Sequence, residues 1–471
     1  MVLINVILSI RSRIFYKGIS VIMQKENKMG VMPVKQLIIS MSLPMMISMM
    51  VQALYNVVDS IFVAKISEDA LTAVTLAFPM QNLMIALGSG TGVGINALLS
   101  RSLGEKKFKN SDAAANTGLL LTFFNYIVFL IIGIFFAGPF INSQTNVASI
   151  SAYGKQYLTI ICCLSFGIFY QVTFERLLQS TGKTIFSMIS QASGAIINII
   201  FDPLLIFGIG PFPALGVAGA AYATILGQMI AASIGLFCNL KYNNEIKIRF
   251  QSIIRPSSQI IGEIYYVGVP SILMMSIGSI MTYLMNLILG SFSSTATAVF
   301  GVYFKLQSFF FMPVFGLNNG LIPVLAYNYG ARNKDRIKQA LRFALVLAVS
   351  IMVIGTFCFL SIPATLLAMF NASDSMIEIG IPALRIISLS FPLAGVCIAM
   401  GSIFQAFSKS FYSLIVSIGR QLVVLIPTAW LLAQTGVLAN VWWAFPIAEL
   451  ASLALSSFFF KRLYSSTVST M

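Results

Sequence analysis

The sequence predicts an all-α membrane protein of twelve membrane-spanning helices in two six-helix lobes. Three observations carry that prediction: long apolar runs with few charges, basic residues confined to alternate loops, and an internal repeat half the chain long. Of 471 residues, 58% are hydrophobic and 9% charged, with a mean hydropathy of +0.90. A soluble domain carries about a quarter charged residues, so an ordinary water-soluble enzyme and a disordered protein are both excluded. A helix needs about 20 mainly apolar residues to cross a bilayer. Twelve runs meet that requirement: 36–63, 70–99, 114–137, 154–178, 184–208, 215–240, 264–290, 296–326, 340–368, 380–406, 411–434 and 438–460.

The loops between these runs orient the chain. Arg11, Arg13, Lys17, Lys25, Lys28 and Lys35 precede the first run. Arg101, Lys106, Lys107 and Lys109 follow the second, Lys241, Lys247, Arg249 and Arg255 the sixth, and Arg332, Lys334, Arg336 and Lys338 the eighth. Lys183, Lys409, Lys461 and Arg462 fall on the same side, whereas the opposite loops hold Lys65, Asp374 and Glu378 and little else. Positive charge stays in the cytoplasm, which predicts a multi-pass protein of the cell membrane with both termini inside. The net charge of +15 is then a topology signal, and nucleic-acid binding is not expected. The opening MVLINVILSIRSRIFYKGISVI, 1–22, is too short to span; it reads as an upstream-start extension or an interfacial helix.

Spans one to six align with seven to twelve at a constant offset of 226: Pro44 with Pro270, Ser67 with Ser293, Gln81 with Gln307, Gly90 with Gly316, Gly94 with Gly320, Gly104 with Gly330 and Lys183 with Lys409. Basic loops align with basic loops. Six spans per half bring both halves in from the cytoplasm, so the repeat is parallel, about an axis normal to the membrane. The predicted organisation is an N-terminal extension, 1–32; an N-lobe, 33–240; a cytoplasmic linker, 241–259; a C-lobe, 260–462; and a tail, 463–471. Two such lobes around a midplane cavity imply a transporter working by alternating access.

Composition narrows the chemistry. There is no histidine, which removes imidazole ligands and Ser-His or Cys-His catalysis. The five cysteines lie in apolar runs without metal-ligand spacing. No GxxxxGK[ST] loop occurs, which disfavours ATP-driven transport. The chain is expected to be a transporter, not an enzyme, with no cofactor beyond a coupling ion. GSGTGVG at 88–94 lies inside a span and reads as close helix packing rather than a nucleotide site.

A carboxylate inside a span is expensive and is a functional hypothesis by default. Asp59 in span one and Asp202 in span five lie at similar depth towards the outer face. Tyr55 precedes Asp59, and Asn198 precedes Asp202, by one helical turn, so each pair shares a face. Pro203 removes a backbone N–H beside Asp202, and Pro44 should bend span one. Two carboxylates with amide oxygens suit a proton or Na⁺, the latter at Asp59, Asn198 and Asp202. The second half lacks this pattern, carrying Met285 and Thr428 at the matching positions. Glu175 and Arg176 read as a local pair or a rim, and Lys305, Arg420 and Glu449 as second-half charges that pair with one another or touch substrate. Met and Phe residues would supply an adaptable apolar lining.

LPMMISMMVQALYNVVDSIFVAKI (43–66), LSRSLGEKK (99–107), LLQSTGKT (177–184), INIIFDPLLIFG (197–208) and GVAGAAYATILGQ (216–228) resemble the multidrug and toxin extrusion (MATE) family over about residues 33–460. The resemblance implies a V-shaped antiporter expelling small organic cations in exchange for H⁺ or Na⁺. It places Tyr157 of span four and Thr224 of span six near the carboxylates. Function as a monomer in the lipid bilayer is expected. Ser279 stands where one branch has an acidic residue, and span ten has no carboxylate, which favours coupling in the first lobe. The competing reading within the superfamily is a lipid-linked precursor flippase, which would need a larger cationic cavity.

Overall fold

The computed structural model describes residues 27–370 and 373–471; the apolar opening, 1–22, lies outside the described residues. The first half consists of α1 (Val34–Ala64), α2 (Glu68–Gly104), α3 (Phe108–Phe135), α4 (Ala148–Cys163), α5 (Phe166–Ser180), α6 (Thr184–Phe207) and α7 (Val217–Tyr242). The second consists of α8 (Ser258–Gly290), α9 (Ser294–Gly330), α10 (Lys334–Ser361), α11 (Asp374–Ser388), α12 (Phe391–Ala406), α13 (Ser410–Ala433) and α14 (Leu438–Val468). Among the described residues ten helices are long and apolar enough to cross a membrane, and the pairs α4–α5 and α11–α12, each taken as one bent span, complete twelve. The fourth and tenth spans, expected at 154–178 and 380–406, are bent between the helices of each pair, by 45° and 47°. The first break, at Leu164–Ser165, has no proline beside it; the second, at Leu389–Ser390, is followed by Pro392 in the first turn of α12, where a proline opens a helix rather than continuing one. By contrast, α1 and α6 run as continuous helices through Pro44 and Pro203.

The repeat recurs in the helix boundaries. α2 and α9 begin after Ser67 and Ser293, whose side chains accept from the backbone N–H of Ala70 and Ala296, both at 3.0 Å. That N-cap satisfies a donor the first turn leaves open. The corners after α2 and α9 both turn through a left-handed residue, Lys106 (φ 59°) and Arg332 (φ 54°). Those before α6 and α13 use Gly182 (φ 88°) and Ser408 (φ 57°). Non-glycine residues seldom adopt this conformation, so its recurrence at matched positions reflects a shared backbone path.

The halves meet at their basic-loop ends through the repeat-related glycines. A Cβ on Gly94 would meet the carbonyl of Ile264 in α8, and one on Gly320 the backbone of Ser42 in α1. Gly104 and Gly330 lie against the backbone of Tyr327 and Arg101 respectively. Only an absent side chain lets helices approach this closely, so the glycine run at 88–94 does serve packing. Each half also lends the start of its first helix to the other's core. Leu37, Ile38 and Met41 of α1 join the second-half cluster, and Ile260 and Ile264 of α8 join the first-half one.

A segment preceding α1 ties the halves together. Asn27 Nδ2 donates to the Thr181 carbonyl (2.9 Å) in the first half. The carbonyls of Met29 and Met32 accept from Arg336 (3.0 and 2.7 Å) in the second, and Asn328 donates to Met29 (3.1 Å). Arg101 of α2 meets Glu263 of α8 at 2.9 Å.

Candidate functional site

α1 changes character along its length. Its fully buried residues are Val34, Leu37, Ile38, Met41, Ser42, Pro44, Met45 and Ser48, and then only Val63. The stretch from Met49 to Phe62, which carries Tyr55 and Asp59, packs on α6 and buries no residue completely. Against this segment, α6 presents a fully buried Asp202, at 0% exposure, and Asn198, at 3%.

The carboxyl groups of Asp59 and Asp202 lie within hydrogen-bonding reach of each other. Ionised carboxylates are acceptors only, so that approach requires a proton or a cation between them. Asp59 Oδ1 is buried without a hydrogen-bond partner, leaving an oxygen available to such a ligand. Asn198 Nδ2 donates to Asp202 Oδ1 (3.4 Å) and faces Thr224 Oγ1 of α7 (3.2 Å). With the amide turned over, its nitrogen donates to Asp202 Oδ2 and its oxygen accepts from the Thr224 hydroxyl, both at 3.2 Å, which satisfies both neighbours better. Tyr55 and Tyr157 are electrostatic neighbours of both carboxyls.

The structure therefore brings together Tyr55, Asp59, Tyr157, Asn198, Asp202 and Thr224 from α1, α4, α6 and α7. It adds residues the sequence reading did not assign. Gln81 of α2 donates to the Tyr157 hydroxyl (3.1 Å) and fixes it. Two turns towards the basic-loop end, Gln191 of α6 donates to Gln52 of α1 (2.7 Å). The match of Gln81 with Gln307 pointed at the first of these; Gln52 and Gln191 share helix faces with the aspartates, a pattern that was there to be read. Hard oxygen donors dominate the cluster, a donor set suited to H⁺ or Na⁺. Among the described residues no group of three His, Cys, Asp or Glu exists that would hold a tightly bound metal.

The remaining predicted charges do not join this site. Glu175 accepts from Gln171 (3.0 Å), and Arg176 reaches Gln179 (3.0 Å) and Asn319 of the second half (3.1 Å). Both are buried, so the rim alternative needs correcting: the two lie close enough to interact electrostatically, and Arg176 is also a polar contact between the halves. Arg420 and Glu449 form an ion pair at 3.2 Å. Lys305 stands apart, exposed on α9, so the expected three-way pairing reduces to two partners.

Twelve spans in two repeats, with a sequestered polar cluster held by one of them, define a membrane transporter rather than an enzyme. The MatE family profile matches residues 44–204 and 270–431, one stretch in each repeat, and the chain belongs to that family. It is 26% identical over 424 residues to the multidrug export protein MepA of Staphylococcus aureus, covering 88% of this chain and 91% of that protein. It is 27% identical over 425 residues to MepA of Staphylococcus haemolyticus, with the same coverage. Its fold superposes on a crystal structure of a MATE transporter in complex with MaL6 with a TM-score of 0.89 at 25% identity, covering 95% of this chain and all of that one. An outward-facing multidrug resistance MATE transporter matches equally, at TM-score 0.89 and 25% identity over 95% of this chain and 99% of that one.

Proposed function

We propose that this chain is a secondary-active multidrug efflux antiporter of the cell membrane, exporting organic cations and amphiphilic drugs in exchange for H⁺ or Na⁺. The observation that carries this reading is the pair Asp59–Asp202, drawn together from two helices, with one Asp59 oxygen buried and unpartnered. The cation is cargo here, taken from one side and released on the other. The names of the MepA relatives support the drug-export half of the reading.

Coupling runs through α1. Its first turns are embedded in the second half's core, while its later turns bear on α6 through Asp59 and Gln52. An ion that ties Asp59 to Asp202 holds the stretch Met49–Phe62 against α6. An ion that leaves lets it relax. A ligand shifts such an equilibrium only by its differential affinity for the two states, and a cation between Asp59 of α1 and Asp202 of α6 creates that difference where the two helices meet. The halves close at their basic-loop ends, so with those ends cytoplasmic the cavity opens outward. The two lobes, 33–240 and 260–462, then rock as units about the glycine contacts, and the protein works as a monomer with both termini inside.

The test is efflux from proteoliposomes under an imposed pH gradient and then an imposed Na⁺ gradient, with wild type, Asp59→Asn and Asp202→Asn. Gradient-driven transport should fall in both variants. Undiminished coupling in both would sink the reading.

A further inference from the structure

The second half holds a charged site the first half does not repeat. Arg420 and Glu449 sit on α13 and α14, the helices that correspond to α6 and α7. Their repeat positions in the first half are Gly194 and Ala223, and there the helices close tightly: a Cβ on Gly227 would run into the Gly194 carbonyl. In the second half an arginine replaces that glycine, Leu453 replaces Gly227, and the backbone from Gly419 to Leu425 winds as a π-helical turn. Such turns recur at functional sites.

The ion pair is incomplete on both sides. A guanidinium has five N–H donors in a planar fork, and Arg420 spends one on Glu449 Oε2 at 3.2 Å. Its side chain keeps 32% of its surface exposed. Glu449 is 7% exposed, and its Oε1 has no hydrogen-bond partner. Tyr303 of α9 and Cys397 of α12 face the pair, but Tyr303 already donates to Gln307 at 2.7 Å, and neither supplies a counter-charge. Glu449 thus holds the guanidinium in place without saturating it.

We propose that Arg420 is a second substrate-binding site, taking the carboxylate of zwitterionic or anionic amphiphiles while Glu449 positions its fork. This deepens the antiporter reading above and rests on it. Formal charge supports the assignment. The first half's spans carry Asp59 and Asp202 with the buried Glu175 and Arg176, an acidic excess, whereas the second half's carry the Arg420–Glu449 pair and the exposed Lys305, a basic excess. A molecule with an ammonium at one end and a carboxylate at the other matches that polarity. A bidentate charge-assisted contact of this kind is strong and directional.

The experiment uses two rhodamines that differ only at this group: rhodamine 123, a cationic methyl ester, and rhodamine 110, its free acid. Full-length protein in proteoliposomes is compared with Arg420→Lys, which keeps the charge but loses the fork, and with the double variant Arg420→Gln/Glu449→Gln, which removes both charges together. A charge-assisted hydrogen bond contributes about 1.5–3 kcal/mol, so rhodamine 110 transport should fall about tenfold or more in both while rhodamine 123 stays within about twofold. Equal loss of both probes would assign the pair a structural role and overturn the proposal. So would wild type that moves rhodamine 123 but not rhodamine 110, or variants that move rhodamine 110 normally. Wild type that moves neither probe counts against the antiporter reading instead. In that case the anisotropy of rhodamine 110 bound to detergent-solubilised wild type and Arg420→Lys decides: weaker binding to the variant supports the site, and equal binding overturns it.

Discussion

At the scale of single residues, the carboxylate pair depends on what surrounds it. Asn198 serves two clients, Asp202 and Thr224, and its loss strands a buried carboxyl oxygen. Leaving such a group unsatisfied costs about 1–3 kcal/mol. Asn198→Ala should therefore lower the melting temperature of the purified protein and weaken ion-dependent transport together, whereas Thr224→Val should do less, because Asn198 keeps its carboxyl partner. Coupling energies of this type are typically about 1–3 kcal/mol, or 5–150-fold, and the two Asn variants of Asp59 and Asp202 should lose coupling in that range, read as the drug gradient built per unit of ion gradient. Lys28 makes a separate prediction. Partial burial, and then the nearby Lys183, lower its pKa below the usual lysine value. A depressed lysine opposes the packed state fully when it is charged, below its folded pKa, and the cost lifts as pH rises towards the unfolded value. Lys28→Gln should thus raise thermal stability at neutral pH, with the gain shrinking at alkaline pH.

At the scale of helices, the glycine contacts are the parts least tolerant of change. Adding a methyl group at Gly330 or Gly104 drives it into backbone that has no rotamer to yield. Overpacking of this sort costs about 1–3 kcal/mol. Gly330→Ala should fall in detergent melting temperature, while Gly301→Ala, which meets nothing within 4 Å, should be neutral or slightly stabilising. Span existence, order and repeat were legible because length, hydropathy and loop charge are local signals. That Asp59 and Asp202 are candidates to lie together was legible for the same reason: a carboxylate in an apolar run declares itself. The break at Leu164–Ser165 was not legible, because no proline marks it and apolar residues continue on both sides; the one at Leu389–Ser390 left a mark in Pro392 that the apolar run obscured. Nor was the reach of Arg176 to Asn319, since a contact between residues of different halves leaves no mark in either neighbourhood. The glycines were read correctly as packing, but their partners needed three dimensions.

At the scale of the whole molecule, the basic-loop end is held by Arg101–Glu263, by Arg176–Asn319 and by the segment ahead of α1. Each of these bonds crosses from one half to the other. Opening that face must break them together, and exposed ion pairs alone contribute only about 0–1 kcal/mol each. Most of the hold must therefore come from the close glycine packing and from Arg336 on the two carbonyls. Glu263→Gln should shift the distribution slightly and Arg336→Gln more strongly. Pulsed spin–spin distances between labels at Lys107 and Asn333 should lengthen in that order; unchanged distances in Arg336→Gln would mean that the carbonyl contacts do not hold this face shut.

The strap formed by Asn27 to Met32 has one more implication. It is wedged where the two repeats touch and runs straight into the helix that carries Asp59. Pulling on it and protonating the aspartate therefore act on opposite ends of a single rod. Anything that tugs at the amino terminus, such as a bulky fusion or an antibody fragment, should jam the transport cycle even though it sits a full membrane thickness away from the ion.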